Sequence, residues 1–155
     1  MTPAVDAARR AGIEFELLEY EHDPGHESFG LEAVEVLGLP GEQVFKTLVA
    51  EVDGRLAVGI VPVVAQLDLK ALASALGGRK AAMAPADAAQ RATGYVLGGI
   101  SPLGQKRRLP AVLDASARQF ERIYVSAGRR GLEISLSPDA LATLAGAQFG
   151  AVARW

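Results

Sequence analysis

Two features of this 155-residue chain stand out as places where chemistry could happen. The first is Lys46, inside the run Val44-Phe45-Lys46-Thr47-Leu48-Val49. Strand alternation puts Lys46 on one face with Val44 and Leu48, while Phe45, Thr47 and Val49 point the other way. An ammonium on an apolar strand face either snorkels to solvent or meets an anion. The second is residues 93–104, which hold four glycines (Gly94, Gly98, Gly99, Gly104) and Pro102. Glycines permit positive φ and let backbone amides approach a ligand, while proline fixes one turn of the path. Such a segment either reads a carbonyl, ribose or phosphate through its main chain or makes a tight connection between elements. It is not a P-loop: residues 99–106 read G-x-x-x-x-G-Q-K, with no Ser or Thr after the lysine and no long buried strand before them.

Absences narrow the chemistry. With no cysteine, a thiolate metal site, an iron–sulfur cluster, a disulfide and a cysteine nucleophile are all excluded. The histidines, His22 and His26, flank Asp23-Pro24-Gly25 and so share no helix face; a metal needs more ligands than they supply. No metal and no cofactor are expected. Tyr20 and Phe29 border this loop, as core aromatics or as a pocket rim.

The formal charge of −2 argues against a histone-like nucleic-acid binder, but it is unevenly spread. Residues 1–53 carry three basic and twelve acidic residues, and residues 54–155 carry thirteen basic and six acidic. The cations Arg79-Lys80, Lys106-Arg107-Arg108 and Arg129-Arg130 lie beside glycines or in loops. They are either solvated charge or a footprint for a phosphate backbone. Ser126 and Glu133 flank the last cluster as polar pocket groups or surface decoration.

The elements that must position these residues alternate along the chain. Thr2 and Pro3 open a helix that Gly12 stops. A half-buried strand runs over residues 13–20, a short helix over 30–37, and strands 44–52 and 55–61 flank Asp53-Gly54, a strong hairpin signal. Helices are expected over 67–76 and 83–92, strands over 111–113, 122–126 and 132–136, then a helix over 138–144 and a short final strand. The longest apolar run, residues 58–65, is interrupted by Gly59 and Pro62 and is too short to span a bilayer. The start of the chain has no basic-then-apolar leader, so a cytoplasmic protein without membrane partners is expected. The fold expected is a single α+β domain over residues 1–155, with a mixed, mostly antiparallel and partly barrel-like sheet flanked by short helices.

Taken together, the strings resemble the YbaK family of free-standing aminoacyl-tRNA deacylases, relatives of the editing domain inserted in bacterial prolyl-tRNA synthetases. They are Thr2-Pro3-Ala4-Val5, Tyr20-Glu21-His22-Asp23-Pro24, Phe29-Gly30, Val44-Phe45-Lys46-Thr47-Leu48 and Gln66-Leu67-Asp68-Leu69-Lys70. Thr93-Gly94-Tyr95, the stretch from Gly98 to Lys106 and Ile123-Tyr124-Val125-Ser126 complete the set. The resemblance implies removal of cysteine from mischarged proline tRNA, with prolyl-tRNA synthetase as a partner. It implies that Lys46 contacts the acceptor end or the reacting ester. It also implies that Gly98, Gly99, Ile100, Ser101 and Pro102 form a G-x-x-x-P loop holding the aminoacyl-adenosine, and that Tyr20, Phe29, Thr47 and Ser126 line the pocket. Glu133 stands where this branch is expected to have aspartate, one methylene shorter.

The implied mechanism is substrate-assisted: the cysteinyl thiol attacks its own ester carbonyl and expels the tRNA. A thiol of pKa about 8.5 needs modest help to ionise, which a nearby cation at Lys46 supplies, while the glycine loop steadies the oxyanion. The alternatives are a deacylase for another small residue, such as alanine, that uses an activated water, and a non-catalytic module that binds tRNA or a synthetase.

Overall fold

The computed structural model describes residues 1–26 and 28–155, without the Phe29 side chain. The first helix, α1 (Pro3–Ala11), begins where Thr2 Oγ1 accepts the Val5 N–H at 3.2 Å and ends at Gly12. Strand β1 (Glu16–Glu19) is shorter than its alternating pattern, and α2 (Phe29–Leu37) follows.

The hairpin is where Asp53-Gly54 places it, as β2 (Phe45–Val52) and β3 (Arg55–Pro62). Asp53 and Gly54 have φ of 50° and 82°, the positive pair that a two-residue turn matched to strand twist requires. Along β2, Phe45, Thr47 and Val49 are buried while Lys46 and Leu48 are half-exposed, as alternation predicts. Strand β3 is buried on both faces. Val58 and Ile60 enter the main core, and Ala57 and Val61 enter a second cluster with Leu72, Val112 and Val152. That double burial is why its sequence is continuously apolar and does not alternate.

Next come β4 (Gln66–Leu67), α3 (Leu69–Ala75), β5 (Ala81–Met83) and α4 (Ala86–Thr93). The helix expected over residues 83–92 is thus corrected. Met83 ends a strand paired with Ala50, and Pro85 fixes the extended residue from which the helix starts. The rest is β6 (Ala111–Asp114), a 3-10 turn (Ala115–Gln119), β7 (Ile123–Arg129), β8 (Leu132–Leu136), α5 (Pro138–Ala145), β9 (Ala147–Gly150) and β10 (Ala153–Arg154).

Among the described residues these strands form a five-stranded sheet in the order β5-β2-β3-β6-β9, a three-stranded sheet β1-β8-β7, and the pair β10-β4. Pairing is mostly antiparallel; β3-β6 and β6-β9 are parallel. The sheets do not close into a barrel, so the barrel-like element of the expected fold is dropped. The two larger sheets meet at a parallel bridge between Val44 and Tyr124, where the Tyr124 N–H donates to Gln43 O and the Gln43 amide donates to Arg122 O. This junction brings the start of β2, and with it Lys46, beside β7 and β8.

Candidate active site

A cavity of about 320 Å³ opens at that junction. Residues 44–48 form one wall, Ser126 and Glu133 a second, Leu97, Gly98 and Ile100 a third, and Tyr20, Ser28 and Gly30 complete the rim. Ser126 and Glu133 are direct partners across β7 and β8, so both side chains leave the sheet on the same face. The volume lies at the lower edge of the about 300–1,000 Å³ usual for small-molecule sites, which suits a small substituent.

Among the described residues, three polar groups in this cavity, Lys46, Glu133 and the Thr47 hydroxyl, have no hydrogen-bond or ion-pair partner, whereas Ser126 Oγ accepts the Gly128 N–H at 3.2 Å. Lys46 has no ion-pair partner among the described residues, and partial burial lowers its ammonium pKa. Glu133 is 7% exposed and accepts no hydrogen bond from any described residue. Burial pushes its carboxyl up to about 8, so the protonated form is held well into the neutral range. Burial first, and then the negative charges of Glu133 and Glu32, push the Tyr20 hydroxyl up to about 12, keeping it un-ionised. The Thr47 hydroxyl is buried with no hydrogen-bond partner. The cavity thus offers a cation, a carboxyl that titrates near neutrality and two hydroxyls, of Tyr20 and Ser126, beside the orphaned one of Thr47.

The glycine loop divides between two duties. Leu97, Gly98 and Ile100 face the cavity, and Gly98 takes φ of 84°. Gly99 packs instead on the β7–β8 turn, where an added Cβ would lie 2.9 Å from Arg129 Cα. Ser101 is fully buried, with its hydroxyl accepting the Leu103 N–H, and Pro102 lines a smaller neighbouring hollow with Ala7 and Arg108. The Phe29 side chain lies outside the described residues.

The basic residues differ in their surroundings. Arg79 and Lys80 are exposed beside the hairpin turn, where their N–H groups donate to the Asp53 carboxylate at 3.1 and 3.0 Å. Six strand residues separate that turn from Lys46, about 20 Å at 3.3 Å per residue. Lys106 and Arg107 are exposed on the loop after the glycine segment. Arg108 donates to the carbonyls of Thr143 and Leu144, at the C-terminal end of α5, where a cation is favoured. Arg129 is exposed, 3.6 Å from Glu19, and Arg130 bonds the glycine loop. His22 bonds Glu32 at 2.6 Å and His26 bonds Glu35 at 3.1 Å. Among the described residues no group of three or more His, Cys, Asp or Glu is arranged to hold a metal.

Sequence reading did not single out Val44, Phe45, Leu48, Leu97, Ser28 or Gly30 as cavity residues. Each adjoins a residue that it did single out, so the available signal was proximity to Lys46, Gly98 or Phe29.

The sequence profile described as "Aminoacyl-tRNA editing domain" matches residues 26–144, a span that includes both Lys46 and Glu133. The chain belongs to that family. The editing domain is 39% identical over 137 residues to EbsC of Enterococcus faecalis, covering 86% of this chain and 83% of the relative. The name of that relative proposes a Cys-tRNA(Pro)/Cys-tRNA(Cys) deacylase. A Bacillus subtilis protein without an assigned role, YwhH, is 26% identical over 111 residues, covering 71% of this chain and 70% of its own. In fold, the domain matches a crystal structure proposed to be a trans-editing enzyme for prolyl-tRNA synthetase. The TM-score is 0.80 at 23% identity, covering 100% of this chain and 99% of the other. By family membership the protein is an aminoacyl-tRNA deacylase. No helix among the described residues is long and apolar enough to cross a membrane.

Proposed function

We propose that this editing domain removes cysteine from mischarged tRNA(Pro), with Cys-tRNA(Cys) as a second substrate, and that the cysteine supplies the nucleophile. The observation that carries the reading is a polar cavity without an activated nucleophile. The chain has no cysteine, neither histidine lines the cavity, and its hydroxyls have no base of the Ser–His kind beside them. Lys46, half-buried and unpaired among the described residues, is a cation available to act on a ligand.

In this mechanism the thiol loses its proton, and the thiolate sulfur attacks the ester carbonyl carbon. A C–S bond forms, the bond to the ribose 3′ oxygen breaks, and that oxygen takes up a proton as the tRNA leaves. The Lys46 charge favours the thiolate, and an N–H of the glycine loop meets the negative charge growing on the carbonyl oxygen. Serine fits the same volume but ionises far less readily, so it is spared. We place this reaction in the cytoplasm, with tRNA delivered alone or by prolyl-tRNA synthetase. Lys106, Arg107 and Arg129 are exposed cations suited to the tRNA backbone.

One observation favours a second reading. Glu133, titrating near 8 inside the cavity, is a candidate base for an activated water. That route would hydrolyse alanine as readily as cysteine.

Proline tRNA charged separately with cysteine, alanine and serine decides between them, with Lys46→Ala and Glu133→Gln assayed beside the wild type and with prolyl-tRNA synthetase present or absent. Selective loss of cysteine, abolished in Lys46→Ala, supports the thiol route. Rapid release of alanine, abolished in Glu133→Gln, replaces it with the water route. Binding without release of any residue leaves a non-catalytic module.

A further inference from the structure

Arg130 sits in the tight turn between β7 and β8, and its guanidinium reaches the glycine loop. Nε and Nη2 donate to the Leu97 carbonyl at 3.0 and 2.6 Å. The turn touches the loop again at Gly99, where a Cβ would lie 2.9 Å from Arg129 Cα and 3.1 Å from Arg130 N. On the other side, Gln90 Oε1 accepts the Leu97 N–H at 3.0 Å, and the Gly99 N–H donates to Val96 O at 3.0 Å. Residues 97–99 are therefore held from two directions.

The Leu97 carbonyl and the Gly98 N–H belong to one peptide unit. In a trans peptide they point in opposite directions, so fixing the carbonyl on Arg130 turns the Gly98 N–H away from it. Gly98 lines the cavity, and its N–H donates to no described residue. A cation on the carbonyl also polarises the peptide and strengthens the N–H as a donor.

We infer that Arg130 is a positioning residue that fixes the Leu97–Gly98 peptide so that the Gly98 N–H meets the carbonyl oxygen of the bound aminoacyl ester. This departs from the sequence expectation for Arg130 as a tRNA contact, and it rests on the deacylase reading of the cavity.

The test compares wild type, Arg130→Ala and Arg130→Lys on Cys-tRNA(Pro) and on 3′-cysteinyl adenosine, which carries no tRNA phosphate. In Arg130→Ala, kcat is expected to fall by about 10²-fold on both substrates, the cost of one misplaced oxyanion donor. The tRNA Kd and its salt dependence should not change. Arg130→Lys, which keeps a cation and guards against misfolding of the alanine variant, should recover part of the loss. Amide exchange at Leu97 and Gly99, whose N–H groups are bonded to Gln90 and Val96, should quicken in Arg130→Ala while the β2–β3 hairpin stays protected. A loss confined to the tRNA substrate, with weaker Kd and a salt slope reduced by about one, would make Arg130 a phosphate contact and overturn the inference. Unchanged kcat on both substrates would overturn it as well. If the wild type leaves every ester intact, the deacylase reading fails on its own terms. The exchange arm then still judges Arg130, and unchanged exchange at Leu97 and Gly99 rejects it.

Discussion

Asp114 and Glu133 are both buried carboxylates on strands, 4% and 7% exposed, and the fold treats them in opposite ways. Asp114, at the end of β6, accepts the N–H groups of Ser116, Val152 and Ala153 at 2.9–3.1 Å. It thereby fastens the last segment of the chain to an inner strand of the large sheet. Among the described residues Glu133, on β8, accepts nothing, and Lys46 and the Thr47 hydroxyl nearby are equally unmatched. Among the described residues, the buried side-chain atoms without a partner outside the cavity are isolated ones, Ser116 Oγ and one nitrogen of Arg122. Burying a polar group without a partner costs free energy, so three such groups in one hollow mark the place where a ligand completes the structure. Where only stability is at stake, as at Asp114, the backbone supplies the partners.

The contrast predicts separable effects. The largest is on chemistry: Lys46→Met keeps the apolar stem, so the protein should fold with unchanged or slightly higher stability while deacylation falls by at least about 10²-fold. Single-turnover release of cysteine beside a thermal melt measures both; a matching loss of stability would move Lys46 to the structural side. Asp114→Ala is the mirror case. Three backbone donors lose their acceptor, so denaturant unfolding should show a loss of about 2–4 kcal/mol, with near-normal kcat for the folded fraction.

Glu133→Gln tests the burial cost directly. Because the folded carboxyl keeps its proton to a higher pH than the unfolded one, wild-type stability should fall as pH rises from the ordinary carboxylate range toward about 8. The expected drop is about 4 kcal/mol by pH 8, from roughly 3.5 pH units at about 1.4 kcal/mol each, and the glutamine variant should lack it; unfolding midpoints across that range read it out. A flat wild-type profile would mean that Glu133 has a partner in solution. The smallest effect belongs to Thr47→Val. Removing an orphaned hydroxyl should leave stability unchanged or raise it by up to about 1 kcal/mol, while activity falls by about tenfold.

Much of the local structure was legible because it depends on neighbours in sequence. Thr2-Pro3 and Gly12 bound α1, and Asp53-Gly54 makes its turn, because caps and tight turns are satisfied within a few residues. The strand β5 was missed because Ala81, Ala82 and Met83 have no strand preference of their own; pairing with residues 50–52 makes them one. The parallel contacts of β3, β6 and β9 join residues more than thirty positions apart, beyond any local signal. In the site, Lys46 was legible as a charge out of place on an apolar strand, while Glu133 was left between pocket group and surface decoration until the resemblance pointed to it. The basic clusters were read as one kind of residue, yet Arg108 bonds the end of α5 and Arg130 bonds the glycine loop, while Lys106 and Arg107 are exposed.

By itself, then, the sequence determined the chemical inventory: no thiol, two histidines, one lysine among apolar residues and a flexible glycine stretch. It also determined the family, because motifs survive as strings. Only the tertiary structure decided which of those groups meet. The junction at Val44 and Tyr124 brings β2 against β7 and β8, leaving Lys46, Thr47 and Glu133 around one cavity without partners among the described residues. The physical reason is that a pKa and an unmet hydrogen bond depend on surroundings, and these surroundings come from segments some eighty residues apart in the chain.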